Sequence, residues 1–157
     1  MPNTRATIQN ASDQPDHVII YYNDGSYKKP AANPLGCARA GAGTAKCEVV
    51  FDDNGNTRMK HLYNISLPVV TERSLQFLKK LFVGANAHSN IVGEWSALAY
   101  ALKDCLFMAK KYPHKRYAIE VRQDCYDIIE ILLNRRHYQT NVVLINNVRK
   151  LWKEVKE

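Results

Sequence analysis

Three acidic residues stand where the sequence predicts that strands end or a helix begins, and together they could bind a metal ion. Asp24 follows the apolar run HVIIYY, Asp124 follows RYAIEVRQ, and Glu94 lies in the first turns of a predicted helix. Carboxylates brought together repel one another and lose hydration, so a divalent cation is needed to stabilise them. Hard cations such as Mg²⁺ prefer these oxygen ligands. The pattern predicts a site able to hydrolyse a phosphodiester bond.

The predicted elements explain how these residues could meet. The continuous apolar run at 17–22 is typical of a strand buried on both faces, and 116–123 is a second strand rich in Tyr, Ile and Val. A long helix starts near Asn90 and is stopped by Pro113. If the two strands are parallel neighbours, a right-handed crossover brings their carboxyl ends and the start of the helix to one edge of the sheet.

The rest of the chain supplies a meander and further helices. We expect a loose tail over residues 1–16, an irregular loop over 28–43 and an antiparallel hairpin of 44–51 with 57–67 around the turn at 52–56. Helical spacing of Leu75, Leu78, Leu81 and Phe82 predicts an additional helix over 71–82. Two more helices follow, one over 126–134 and a last one with Leu144, Val148, Leu151, Trp152 and Val155 on one face.

Composition favours one intracellular domain with an affinity for polyanions. The 157 residues are 46% hydrophobic, enough for a single core over residues 17–157, and 22 Lys+Arg against 15 Asp+Glu give a net charge of +7. The four cysteines form no CxxC pair or metal-ligand spacing, no signal peptide is evident and no apolar run is long enough to cross a bilayer. We therefore expect a reduced protein of the cytoplasm or nucleus that does not contact membranes.

Four segments, in order along the chain, carry a resemblance to a known family. They are YYNDGSY at 21–27, GAG at 41–43, NIVGEWSALAYAL at 90–102 and IEVRQDCYDIIEIL at 119–132. This order resembles the ribonuclease H-like superfamily, and within it the type 1 ribonucleases H, including the plant-type and reverse-transcriptase-associated forms. The resemblance implies an α/β fold: a mixed sheet, with a three-stranded antiparallel meander plus a parallel strand, and flanking helices.

The same resemblance implies a function. Asp24, Glu94 and Asp124 would be the catalytic carboxylates that bind Mg²⁺ or Mn²⁺, and the reaction would be hydrolysis of the RNA strand of an RNA/DNA hybrid, with structured DNA as the alternative substrate. The residues expected to contact nucleic acid are basic side chains beside the cleft and on the last two helices: Lys28, Lys29, Arg39, Arg135, Arg136, Arg149, Lys150 and Lys153.

The chain departs from the family pattern at its C-terminal end. The family adds a fifth strand and a helix with a fourth carboxylate, whereas this sequence ends at LWKEVKE without a matching aspartate. Glu154 or Glu157 would replace that ligand if the last helix folds back over the site. Otherwise the chain is a fragment, a partner completes the site, or the domain is a non-catalytic module that binds nucleic acid or a protein partner.

Each carboxylate also has a plain structural interpretation. Asp24 lies in Asn-Asp-Gly-Ser, a sequence rich in turn residues. On this alternative interpretation its side chain caps backbone amides of a turn and has no role in metal binding. Glu94 could be a solvated helix residue or a capping-box acid, and Asp124 could be the N-cap of the next helix. It is the order of the three together that favours the metal site.

Overall fold

The protein was analysed as a computed structural model, which describes residues 4–9, 15–28, 39–71, 82–85 and 89–156. Strands and helices alternate only in the second half of the chain. The elements are β1 (Thr4–Gln9), β2 (His17–Lys28), β3 (Arg39–Phe51), β4 (Thr57–Pro68), α1 (Asn90–Lys111), β5 (Tyr117–Gln123), α2 (Tyr126–Leu132) and α3 (Val142–Lys156).

The strands form one mixed sheet in the order β1-β5-β2-β3-β4. β2, β3 and β4 make the antiparallel meander, and β5 pairs with β2 in parallel, so the predicted fold class is confirmed. The parallel register joins Asn23 to Gln123, one position before Asp24 and Asp124. Because β2 and β5 run in the same direction, Asp24 lies beside the carboxyl end of β5, whereas β2 itself continues to Lys28.

Three boundaries differ from the sequence prediction. The N-terminal segment is not a loose tail throughout, because Thr4–Gln9 forms β1 and pairs antiparallel with β5. β2 continues through Asp24 to Lys28, and β3 already begins at Arg39, inside the predicted loop. In each case pairing with a neighbouring strand satisfies backbone groups that local composition assigns to a loop. Residues 72–81 of the predicted additional helix lie outside the described residues.

The turn between β3 and β4 forms as predicted. The amide of Gly55 donates to the carbonyl of Asp52, and Gly55 has a φ of 79°, a left-handed conformation that favours glycine. The Asp52 side chain accepts from the amides of Asn54 and Asn56 at 3.0 and 2.8 Å. The aspartate therefore satisfies turn amides that the hairpin itself leaves unpaired.

Helix α1 is the main element packed on the sheet. Its N-cap is Ser89, whose hydroxyl accepts from the Val92 amide at 3.2 Å, and Lys110 and Lys111 lie in its last turn, where positive charge is favourable. Helix α1 packs on β2 and β3, and α3 packs against α1. None of the helices in the described part of the chain is long and apolar enough to span a bilayer.

A charged cluster is buried between the sheet and the second half of α1. The Lys46 ammonium lies 2.9 Å from Asp104 Oδ2, which also accepts from the Tyr21 hydroxyl at 2.5 Å. Lys46 donates to the Tyr63 hydroxyl at 3.1 Å, and Tyr63 donates to Asp104. Burial alone would lower the pKa of Lys46, but its bonds to Asp104 and Tyr63 raise it. The cluster therefore holds a satisfied ion pair that fixes α1 across β2, β3 and β4.

We expect Tyr21→Phe to lower the free energy of unfolding by about 2 kcal/mol, because it removes a hydrogen bond to the charged Asp104 carboxylate, which is largely buried. Tyr22→Phe is the matched control. Its hydroxyl accepts from Arg122 on the opposite, exposed side of the strand, so its loss should cost about 0.5 kcal/mol or less. Urea unfolding of both variants measures the difference, and equal effects would contradict a stabilising role for the buried cluster.

Candidate functional site

Glu94 is a buried carboxylate held by hydrogen bonds from two strands. It lies in the second turn of α1 and is only 9% exposed. Its Oε1 accepts from the Gly25 amide of β2 at 3.0 Å, and its Oε2 accepts from Gln123 Nε2 of β5 at 2.6 Å. The interpretations of Glu94 as a solvated residue or a capping-box acid are therefore wrong.

Glycine at position 25 lets α1 approach the sheet closely at this point. A Cβ on Gly25 would lie 2.4 Å from the Glu94 nitrogen and 2.6 Å from the Gly93 carbonyl carbon. A Cβ on Gly93 would lie 2.7 Å from the Gly41 oxygen of β3. Helix and strand backbones are thus in direct contact, which explains glycine at both positions and brings Glu94 next to Asp24.

Asp24 belongs to β2 and is exposed, so its interpretation as a turn residue is wrong. It pairs with Gly43 of β3 across the sheet. Burial raises the pKa of Glu94 above its ordinary range, and the negative charge of Asp24 and a hydrogen bond with it raise this pKa further. The Gly25 amide and the Gln123 side chain act in the opposite direction, because they stabilise the ionised form. Asp24 and Glu94 therefore form an interacting carboxylate pair.

Asp124 reaches the same edge of the sheet but does not complete a cluster of three. It follows Gln123 directly and is exposed. The N-cap of α2 is Cys125 rather than Asp124, so the interpretation of Asp124 as that cap is wrong. Among the residues that the structure describes, no group of three or more His, Cys, Asp or Glu side chains lies close enough to hold a metal ion.

The Asp24–Glu94 pair has the chemistry of a site for a hard divalent cation. Within the described ranges, no lysine, arginine or histidine forms an ion pair with either carboxylate. A buried glutamate beside a second negative charge is costly unless it is protonated or a cation is bound. Two carboxylates with room for water suit Mg²⁺ or Mn²⁺, so the residues fit such an ion.

A shallow polar depression opens beside Asp24. Its volume is about 180 Å³, and its lining comes from three neighbouring strands: Asp24, Gly25, Ser26, Gly41, Ala42, Gly43 and Ser66. Most of these side chains are small or absent, so backbone atoms form much of the surface. A bulky ligand can therefore approach the sheet closely next to the carboxylate pair.

The expected nucleic-acid contacts differ in how far they are engaged within the protein. Arg136 is paired with Asp127, and Arg135 lies 3.7 Å from Glu130. Arg149 donates to Tyr138 at 3.1 Å and to Asn134. Of the other expected contacts, Lys150 and Lys153 are exposed on α3. Lys28 and Arg39 are paired through their backbones, where β2 ends and β3 begins. Lys29 lies outside the described residues.

Glu154 is not positioned to be a fourth ligand. It lines two depressions with Ala109 and Pro113, at the C-terminal end of α1. Glu94 lies at the opposite end of this helix, 15 residues before Ala109, or about 22 Å at 1.5 Å per residue. The condition under which Glu154 would replace the fourth ligand is therefore not met, because α3 does not fold back over the carboxylate pair. Glu157 lies outside the described residues.

Sequence reasoning missed the polar residues that support Glu94. Asn23, Thr44 and Gln123 are all buried and connected to one another by hydrogen bonds, and Gln123 donates to Glu94. Strand alternation contained a signal: Asn23 and Gln123 each lie two residues after an inward-facing apolar residue, Tyr21 and Val121. A polar side chain at such a position requires a buried partner.

The antiparallel meander of β2, β3 and β4, with β5 parallel to β2, gives the chain a ribonuclease H-like α/β fold. The solved structures that it resembles include a ribonuclease H1 isolated from compost by a metagenomic approach, with 21% sequence identity and a TM-score of 0.50, covering 88% of this chain and 74% of that chain. They also include the protease–reverse transcriptase of prototype foamy virus, with 14% identity and a TM-score of 0.52.

The foamy virus match covers 95% of this chain but only 18% of that chain, so the similarity concerns one part of a much larger protein. No protein-family model matches this sequence, and no curated protein matches it by sequence. Both solved structures are less than 25% identical to the chain and therefore indicate its fold alone.

Proposed function

We propose that this domain is a metal-dependent endonuclease that hydrolyses the RNA strand of RNA/DNA hybrids. The observation that carries the proposal is the carboxylate pair: exposed Asp24 beside buried Glu94, next to the point where β5 ends alongside β2. The ribonuclease H-like fold supports this assignment of reaction class by analogy.

Different residues of the chain would bind the cation and contact the nucleic acid. Asp24 and Glu94 would hold the cation, with Asp124 contributing from the adjacent strand end. A bound Mg²⁺ or Mn²⁺ would polarise the phosphate and lower the pKa of a bound water. The shallow depression beside Asp24 would admit the nucleic-acid backbone, and exposed Lys150 and Lys153 on α3 are expected to contribute phosphate contacts.

The proposal is tested with a hybrid whose RNA strand is end-labelled, incubated with the protein and Mg²⁺. We expect internal cleavage of the RNA, none with a chelator, and little or none of single-stranded RNA or duplex DNA. A four-way DNA junction distinguishes the alternative substrate. Absence of metal-dependent cleavage of every substrate would overturn the endonuclease assignment.

A second function is favoured by one observation: the described carboxylates do not form a cluster of three. On this basis the domain would be a non-catalytic module that uses its positive charge to bind nucleic acid. It would bind the hybrid in the presence of a chelator and never cleave it. Hybrid affinity measured by fluorescence anisotropy, together with the cleavage assay, separates the two functions.

A further inference from the structure

A chain of buried side-chain hydrogen bonds runs through three strands and ends on Glu94. Thr44 Oγ1 of β3 donates to Asn23 Oδ1 of β2 at 2.5 Å. Asn23 Nδ2 donates to Gln123 Oε1 of β5 at 3.1 Å, and Gln123 Nε2 donates to Glu94 Oε2 of α1 at 2.6 Å. The strand residues are between 1% and 5% exposed. We call this hydrogen-bonded set of Thr44, Asn23 and Gln123 the amide relay.

Each donor in the amide relay points toward Glu94. This direction follows from the two groups at the ends of the chain of hydrogen bonds, the Glu94 carboxylate and the Thr44 hydroxyl. An ionised carboxylate accepts only, so Gln123 must present its NH₂ group to it. The oxygen of the Gln123 amide then faces Asn23, which must present its own NH₂ group. The Asn23 oxygen is left for the Thr44 hydroxyl, the last donor. Each amide is therefore fixed against flipping by the next one.

The relay constrains Glu94 together with the strand backbone. The Gly25 amide binds Oε1 from β2 and Gln123 binds Oε2 from β5, so the two carboxylate oxygens are held from different strands. Gln123 Nε2 also lies 3.5 Å from the Glu94 backbone carbonyl. Both carboxylate oxygens of Glu94 are thus held by the protein, and each oxygen has one further lone pair that these two bonds do not use.

We propose that Gln123 is a positioning residue: through the amide relay it holds the Glu94 carboxylate in one orientation beside Asp24, so that the pair binds a divalent cation without reorganising. The inference rests on the proposed function. Hydrogen-bond partners of metal ligands orient those ligands, and their loss typically weakens metal binding by about 10- to 100-fold. Gln123 itself contacts neither the metal nor the substrate in this role.

The test measures Mn²⁺ affinity by calorimetry, and kcat and KM on the RNA/DNA hybrid, for the full chain and three variants. Gln123→Leu removes the donor to Glu94, and we expect Mn²⁺ affinity to fall by about 10- to 100-fold and kcat to fall at subsaturating metal, with KM for the hybrid unchanged. Thr44→Val removes only the far end of the relay, and we expect about a fivefold loss. Thr44→Ser keeps the hydroxyl and should restore wild-type affinity.

A merely structural role would lower the unfolding midpoint while leaving the Mn²⁺ affinity of the folded protein unchanged, which would overturn the inference. If Gln123→Leu does not fold, the comparison of Thr44→Val with Thr44→Ser is sufficient: equal Mn²⁺ affinities would overturn the inference, and a loss restricted to Thr44→Val would support it.

Wild-type protein that neither binds Mn²⁺ nor cleaves the hybrid would overturn the proposed function and this inference together. Normal binding and cleavage with an unaffected Gln123→Leu would overturn only the inference.

Discussion

Asp24→Asn is expected to reduce hybrid cleavage by about a thousandfold or more while making the folded protein more stable at neutral pH. The loss of activity follows because the cation would lose one of its two closest carboxylate ligands, and a metal contributes several kcal/mol of transition-state stabilisation. The gain in stability, about 1 kcal/mol, follows because the charge of Asp24 adds to the effect of burial in raising the pKa of Glu94.

The stability gain of Asp24→Asn should depend on pH in a defined direction. A carboxyl group whose pKa is raised by folding costs stability when it is ionised, and that cost disappears below its unfolded pKa, where it is protonated in both states. The difference between variant and wild type should therefore be largest at neutral pH and shrink on acidification toward about pH 4. Urea unfolding across this range measures it. A variant no more stable than wild type at pH 7 would contradict the repulsion between Asp24 and Glu94.

Asp53→Asn is the matched control for this experiment. Asp53 is exposed in the turn between β3 and β4, where it makes no contact with the carboxylate pair. The same chemical change at that position should leave cleavage at the wild-type level and change the free energy of unfolding by less than about 0.5 kcal/mol. A comparable loss of cleavage in Asp53→Asn would show that the effect of Asp24→Asn is not specific to the site.

Gly25→Ala is expected to cost about 3 kcal/mol of stability, near the upper end for a single added methyl group. Its Cβ would lie 2.4 Å from the Glu94 nitrogen and 2.6 Å from the Gly93 carbonyl carbon, and neither backbone atom can move unless α1 moves away from β2. Displacement of the helix would also separate Glu94 from the Gly25 amide. We therefore expect cleavage to be lost along with stability.

Gly43→Ala tests whether this effect comes from the close contact rather than from losing a strand glycine. Gly43 pairs with Asp24 in the neighbouring strand, and the atoms nearest to an added Cβ are 3.8 and 3.9 Å away, an ordinary van der Waals distance. Alanine should be tolerated there and raise stability by about 0.5 kcal/mol, because glycine is unfavourable within a strand. Thermal unfolding of both variants gives the comparison. Similar losses for the two would contradict the account of Gly25.

The sequence was sufficient to predict the elements whose signals are local. The apolar run before Asn23, the turn around Gly55 and the start of the long helix near Asn90 all depend on residues close together in the chain, and all three are confirmed. The parallel pairing of β2 with β5 is confirmed as well, but it was expected from the family resemblance, and from the local sequence it followed only as a condition. These features bring Asp24 and Asp124 next to the last register pair of β2 and β5, and Glu94 near the start of α1, but among the described residues the three do not form one cluster.

Features that depend on distant residues could not be predicted in the same way. β1 is only six residues long and is defined by its pairing with β5, more than 100 residues later in the chain. The continuation of β2 through Asp24 and Gly25 depends on β3, since the local sequence favours a turn. The burial of Lys46 with Asp104 likewise appears only when β3 lies against α1.

The claim that Asp24 and Glu94 form a divalent-cation site is tested most directly by titrating Mn²⁺ into the protein in a calorimeter at neutral pH. We expect saturable binding by the wild type and by Asp53→Asn, and its loss in Asp24→Asn and in Glu94→Gln. Circular dichroism would verify that both site variants remain folded. Wild-type protein that binds no Mn²⁺, or binding that persists unchanged in Asp24→Asn, would contradict the account.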